Sequence, residues 1–216
     1  MIEKIKLNKV ILILILSDLT LLIGLGFITP IFSIFLTENI QGGNVEVAGF
    51  ASAIYWIIEA VAMIPLGKYL DKHTGERDDL FFIVIGNFLA ALSVLGYLQA
   101  KLPWHIYVLQ SLYAFGMAMN VPGYTAVFTR HIDKGMEALS WSLRGSLVAL
   151  GSGVAGALGG IIAKNFGFNI LFIGAAVFIL LSSFLPLFIL RAMKRRGKNI
   201  SQIPEIKDLQ PPAPKL

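Results

Sequence analysis

The feature that most constrains this chain is a succession of long apolar runs separated by short polar connections. A membrane-spanning α-helix needs about 20 predominantly apolar residues. Six runs of roughly this length occur, at about 10–36, 47–69, 80–99, 104–127, 139–163 and 168–190. The sequence therefore predicts an all-α, polytopic membrane protein whose six-helix transmembrane domain covers residues 1–198.

The composition agrees with a protein that faces lipid over much of its surface. Hydrophobic residues make up 56% of the chain and charged residues 14%, whereas soluble domains are about one quarter charged. There is no cysteine, and the three histidines are scattered, so disulfides, thiol catalysis and clustered metal ligands are not expected. A nucleophile–base pair is also missing from the sequence. We therefore expect no enzyme activity, no cofactor, no metal and no nucleic-acid partner.

Basic residues predict the orientation of the helices, because short cytoplasmic segments of membrane proteins are enriched in lysine and arginine. If the N-terminus is cytoplasmic, 16 of the 18 basic residues lie in cytoplasmic segments, and only Lys101 and Lys164 lie outside. This asymmetry fits an even number of spans. We expect a multi-pass protein of the cell membrane, embedded in the lipid bilayer, with both termini in the cytoplasm.

The C-terminal segment 199–216 mixes prolines with alternating charges. Such a composition cannot bury a hydrophobic core, which predicts a disordered cytoplasmic tail. The basic cluster before it, 191–198, is interpreted as a topology anchor that faces anionic lipid headgroups.

Two acidic residues lie inside apolar runs, Asp18 in the first and Glu59 in the second. A charge at bilayer depth costs at least about 2.5–3.5 kcal/mol, so such side chains usually face the bundle interior or a water-filled cavity. Both lie roughly 12–16 Å from the cytoplasmic ends of their helices, and can therefore share one layer. They are candidates for a pair that binds and couples a proton or cation. The alternative is a neutral acid that is hydrogen-bonded to a neighbouring helix and has no role in transport.

Polar side chains in the third and fourth runs are candidates to line a cavity. They are Asn87, Gln110, Tyr113, Asn120 and Tyr124. Polar residues of membrane helices also serve as hydrogen-bonding contacts between helices, and that alternative stays open for each of them.

Small residues dominate the fifth run, including Gly151, Ser152, Gly156, Gly159 and Gly160. Ser152, Gly156 and Gly160 are spaced by four, so they stack on one helix face and let another backbone approach closely. The pattern predicts tight helix packing, and it also fits a self-association interface.

The two halves of the chain correspond weakly. Spans one to three and four to six each open with a long helix whose late part contains a proline, Pro30 in one and Pro122 in the other. The two triplets have opposite orientation, and paired interruptions in inverted repeats point to the central cavity of a transporter. We therefore expect two inverted three-helix repeats, with breaks at Pro30 and at Pro122-Gly123.

The loop after the second run carries the most specific motif. It resembles the signature loop between the second and third helices of the major facilitator superfamily, Gly-x-x-x-Asp-Arg-x-Gly-Arg. Gly67 and Asp71 match, Lys72 keeps the charge of the arginine, and Gly75 and Arg77 follow. The glycines of the fifth run are similar to the fifth-helix pattern of the same family. An Asp at this point can accept the free N–H groups of another helix, which implies a gating contact that forms in one conformation and breaks in another.

Members of this family usually have twelve helices, as two six-helix halves that enclose a central cavity. The resemblance therefore implies that the chain forms half of such a fold. A single half would expose its cavity face to lipid, so we expect a homodimer or a second six-helix half. In full-length members the loop Asp of one half docks on the fifth-helix equivalent of the other. By that comparison, Asp71 would meet the partner's fifth helix near Arg144.

The function implied by the resemblance is transport of an unknown small solute by alternating access. The alternative is a non-transporting membrane scaffold or a degenerate half-transporter subunit.

Overall fold

The computed structural model describes residues 8–72 and 75–201, with side chains as far as Arg191. Within these residues the chain is helical apart from short connections, and it contains no β-strand. The helices are α1 (Lys9–Ile28), α2 (Phe32–Asn39), α3 (Val45–Lys72), α4 (Glu76–Gly96), α5 (Pro103–His131) and α6 (Glu137–Ser201). The predicted all-α fold is therefore confirmed.

Long apolar helices make this a multi-pass membrane protein. Within the described residues, the segments that are long and apolar enough to cross a membrane are Lys9–Asn39, Val45–Lys72, Glu76–Gln99 and Glu137–Arg191. The last of these is interrupted at Gly167, whose non-helical backbone (φ 82°, ψ 166°) divides α6 into the arms 137–166 and 168–201. Each arm exceeds the roughly 20 residues that one crossing needs. The total of six spans stays a prediction.

The chain breaks at Pro30 but not at Pro122. Thr29–Ile31 form one 3₁₀ turn between α1 and α2. In contrast, α5 runs through Pro122 as one helix, so the predicted interruption at this position is wrong. Prolines persist inside membrane helices where neighbouring helices support the backbone. The next residue, Gly123, permits such support because the backbone of Asp79 in α4 packs directly against it.

Packing is uneven across the bundle. α1 and α6 form the most extensive pair, α4 packs on α5 and α6, and α3 packs mainly on α5. The buried residues of α3 are Val47, Ala51, Glu59 and Leu70. Its large apolar side chains Trp56, Ile57, Val61 and Ile64 are 63–70% exposed. α3 therefore lies at the edge of the bundle, with one long apolar face uncovered by the described part of the chain.

Small residues let α1 and the 137–166 arm of α6 approach closely. The Ser152 hydroxyl donates a hydrogen bond to a backbone carbonyl of α1 at 3.2 Å, and a side chain at Gly159 would clash with the α1 backbone. The remaining predicted packing residues are Gly151 and Gly156, which also contact α1, and Gly160, which faces open space. Most of this glycine ladder is therefore used inside the chain rather than left free for self-association.

Most of the predicted tail lies outside the described residues. Residues 199–201 continue α6, whereas 202–216 and the side chains after Arg191 fall outside the described part. The division into a domain at 1–198 and a tail at 199–216 stays a prediction.

Candidate functional site

A cavity of about 400 Å³ lies among α1, α2, α3, α4 and α5. Its size falls within the range of small-molecule sites, about 300–1,000 Å³. Aromatic, hydroxyl and amide groups stand among its apolar walls, contributed by Ser52, Tyr55, Trp56, Tyr97, Gln110 and Tyr113. Ser52 and Trp56 also belong to the exposed face of α3. The cavity therefore opens on the uncovered side of the bundle.

Aromatic rings form two walls of this cavity. The Tyr55 ring of α3 stacks on the Tyr113 ring of α5, with centroids 4.8 Å apart. Trp56 meets Tyr55 edge-on at 4.9 Å, and Phe32 packs against Tyr97 at 5.1 Å. Each of these rings packs against another ring of the protein, and these contacts fix the orientations of the rings that form the walls.

Glu59 lies next to the aromatic wall and is only 6% exposed. Its carboxyl interacts with the Tyr55 hydroxyl, one helical turn earlier on α3, and is in electrostatic range of Tyr113. No ion pair of Glu59 is present among the described side chains. The carboxyl is therefore buried in contact with Tyr55 of the cavity lining, without being part of that lining, and no described cation balances its charge.

Gln110 brings a second polar group to the cavity from α5. The side chain is 7% exposed, and its Oε1 atom has no hydrogen-bond partner among the described residues. A buried acceptor without a donor costs roughly 1–3 kcal/mol. The cavity lining therefore includes a side chain with an unused acceptor, and that acceptor atom is itself shielded from solvent.

Asp18 occupies a different environment, because Arg144 of α6 neutralises it. The Arg144 Nε and Nη2 atoms both lie 2.8 Å from Asp18 Oδ2. The guanidinium also lies over the rings of Tyr124 at 5.3 Å and Trp141 at 5.8 Å. This cluster ties α1, α5 and α6 together and satisfies the buried carboxylate within the chain.

The structure does not bring Asp18 and Glu59 together. Glu59 lies near Tyr113 of α5, whereas Asp18 lies near Tyr124 of the same helix. These tyrosines are eleven residues apart, about 16 Å along the helix axis. The expectation of one shared layer is therefore wrong. Counting from helix ends misplaced the two acids because it assumes that the ends of neighbouring helices lie at the same depth.

The remaining cavity candidates divide between two environments. Gln110 and Tyr113 line the cavity. Asn87 and Asn120 instead join α4 to α5, because the Asn120 Nδ2 donates to Asn87 Oδ1 at 2.6 Å. Tyr124 belongs to the Asp18 cluster.

Five of the six predicted gating residues lie in the last turns of α3, in the connection that follows, or in the first turn of α4. They are largely exposed. Asp71, Lys72 and Arg77 are at the surface, and Gly67 and Gly75 are half-buried. Arg144, the sixth member of this set, is bound to Asp18 instead. The tip of the loop, 73–74, lies outside the described residues.

A charged contact between α4 and α5 was not anticipated. The buried Asp79 of α4 forms an ion pair with Arg130 of α5, and His131 Nε2 lies 3.5 Å from Glu76 Oε1. The available signal was the placement of acids in the first turn of α4 and bases in the last turn of α5, at the same membrane face. These contacts hold the start of α4 against the end of α5.

Comparison with known proteins identifies the family. The family model of the Major Facilitator Superfamily matches residues 14–215. An uncharacterized MFS-type transporter of Methanocaldococcus jannaschii is 26% identical over 167 residues, which cover 77% of this chain and 42% of that relative. The chain thus spans less than half the length of this relative. It belongs to the Major Facilitator Superfamily, and the resemblance seen in its motifs is confirmed.

Proposed function

We propose that this member of the Major Facilitator Superfamily transports a small solute across the cell membrane by alternating access. The solute would occupy the cavity among α1, α3 and α5. The observation that carries the proposal is the buried Glu59 carboxyl, which contacts Tyr55 in the wall of a cavity whose mouth lies on an uncovered face. Family membership also points to transport rather than catalysis.

A second six-helix half completes the cavity in this proposal, and a second copy of this chain supplies it. Support comes from the exposed apolar face of α3 and from open space around Gly49 of α3 and Gly153 of α6. Small residues at such positions allow close helix approach. Covering this face would close the cavity mouth and would bring Asp71 of one copy to the start of its partner's α6, with both termini in the cytoplasm.

Alternating access can be tested without knowing the solute, because the chain has no native cysteine. Ser52→Cys places one thiol at the cavity, and Leu92→Cys places a control thiol on the exposed face of α4. Impermeant maleimides are applied to either side of oriented vesicles. A transporter should label at position 52 from both sides and at position 92 from neither. Labelling at position 52 from one side only would favour the scaffold alternative.

Coupling by Glu59 can be tested in the same vesicles. If Glu59 exchanges a proton as access alternates, the ratio of inside to outside labelling at position 52 depends on pH. Glu59→Gln should remove this dependence. Glu46→Gln, at an exposed position in the first turn of α3, should keep it. A pH dependence that survives Glu59→Gln would exclude Glu59 from coupling.

The second half can be tested by cross-linking differently tagged copies. One copy carries Asp71→Cys and the other Ser142→Cys, an exposed position that spares the Arg144 ion pair. The dimer proposal predicts disulfides between tags for this pair, and none for Asp71→Cys with Leu102→Cys, which the proposed topology places at the opposite membrane face. If no links form between copies in native membranes, the second copy is not the missing half.

A further inference from the structure

We propose that the cavity binds solutes that carry one positive charge on an apolar or aromatic body. Glu59 would supply the counter-charge, the Tyr55–Trp56–Tyr113 rings the aromatic wall, and Gln110 a hydrogen-bond acceptor. This inference rests on the proposed function, because it names the substrate class of the same cavity.

The charge of Glu59 is the first reason to expect a cationic ligand. The groups that interact with its carboxyl among the described side chains are the hydroxyls of Tyr55 and Tyr113. The next basic residue along α3, Lys68, is nine positions further, about 13–14 Å away along the axis. Arg144 is bound to Asp18 in the other layer. Glu59 is not itself part of the cavity lining, but its carboxyl contacts Tyr55, which is. A cationic ligand on that ring would lie close to an acid that no described cation balances, in a poorly solvated site where opposite charges attract strongly.

The aromatic wall is the second reason to expect such a ligand. Tyr55, Tyr113 and Trp56 lie in ring-to-ring contact at 4.8–4.9 Å and line the cavity beside Glu59. Cations bind over the faces of such rings, and the attraction grows when water is excluded. The same rings accept an apolar body of the ligand. A small hydrophilic cation would leave most of the apolar ring surface uncovered, so the geometry favours an amine with an apolar substituent.

The side chain of Gln110 is the third reason. Its buried Oε1 atom has no donor among the described residues and belongs to the cavity lining. The atom is shielded in this conformation. Once the side chain rotates it toward the cavity, an ammonium N–H can supply the donor, whereas a carboxylate ligand cannot. An anion would also face the Glu59 charge with no basic side chain of the described cavity lining to offset it. The site thus selects by charge sign as well as by shape.

Binding calorimetry on the purified full-length protein in mild detergent tests the inference with three probes of the same skeleton. They are 2-phenylethylamine (a cation at neutral pH), 2-phenylethanol (neutral) and phenylacetate (an anion). We expect the amine to bind about tenfold more tightly than the alcohol, with no measurable binding of phenylacetate. Glu59→Gln should weaken amine binding roughly thirtyfold and leave alcohol binding unchanged. Glu46→Gln is the matched control and should bind like the unmodified protein.

Trp56→Leu provides a second variant that does not depend on tolerance of a change at a buried acid, because Trp56 is largely exposed. It should weaken amine binding several-fold more than alcohol binding. The inference is overturned by equal binding of amine and alcohol, by a preference for phenylacetate, by absent amine binding at millimolar concentration, or by an amine preference that persists in Glu59→Gln. Two-sided labelling at position 52 is independent of solute charge. Such labelling without amine binding would contradict the cation inference and would still support the transport proposal.

Discussion

The helices α1 and α3 each bury one carboxylate, and the two carboxylates differ in how the chain treats them. Asp18 of α1 is 5% exposed and Glu59 of α3 is 6% exposed. Asp18 is bound by Arg144, whose guanidinium lies over the rings of Tyr124 and Trp141. Among the described side chains, Glu59 interacts with tyrosine hydroxyls and with no cation. Two side chains of similar solvent exposure therefore differ in whether a cation of the chain pairs with them.

The two helices also differ in how far other helices cover them. α1 is covered by α6, with Gly159 and Ser152 packed against its backbone. α3 packs mainly on α5 and leaves an apolar face uncovered. A charge that must only be buried is paired within a packed interface, as Asp18 is. Glu59 has no such pair among the described residues and lies at the uncovered edge of the bundle, and the proposed transport and cation binding rest on this difference.

The largest expected effect concerns the Asp18–Arg144 pair. Asp18→Asn should destabilise the fold by about 3–5 kcal/mol, because it leaves the guanidinium partly buried without its counter-charge. Adding Arg144→Gln should recover part of that loss, since neither group is then charged. Unfolding in mixed detergent micelles measures each step of this cycle. Additive losses would show that the two residues do not act as a pair.

A smaller effect is expected from leucine at a packed and at an open glycine. Gly159→Leu should cost about 1–3 kcal/mol, because the new side chain meets the backbone of α1. Gly49→Leu on α3 meets nothing within 4 Å. It should leave the unfolding free energy unchanged or slightly raised, since leucine favours a helix more than glycine does. The same substitution should reduce cross-linking between copies. A large destabilisation by Gly49→Leu would contradict an open α3 face.

The smallest expected effect on folding belongs to Glu59. Glu59→Gln keeps the shape of the side chain and removes a charge that has no cationic partner among the described residues. It should therefore change the unfolding free energy by less than about 1 kcal/mol. The comparison between the two acids fails if Glu59→Gln destabilises as much as Asp18→Asn, since Glu59 would then be a structural residue.

Much of the fold was predictable because each helix is long and apolar enough to be recognised from its own residues. The resemblance at Gly67 and Asp71 led to the correct family for the same reason, since a loop motif is local. The break at Pro122 was mispredicted because a proline inside a helix depends on neighbouring helices, and α4 supports the backbone at Gly123.

The candidate site was only partly predictable. Asp18 and Glu59 stood out because acids are costly in apolar runs. Tyr55 gave a signal that was not used, since it precedes Glu59 by one helical turn and places a hydroxyl beside the carboxyl. Trp56 gave no local signal, because aromatic residues are common in membrane helices.

The sequence by itself determined that this chain is an all-helical membrane protein with two intramembrane acids, because hydropathy and charge are properties of individual residues. Only the tertiary structure shows which partner each acid has. The partner of Asp18 lies 126 positions away, and a spacing of that length is set by helix packing rather than by any local pattern. The same packing placed Glu59 against Tyr55 of the cavity wall with no cation among the described residues, which is why the proposals centre on it.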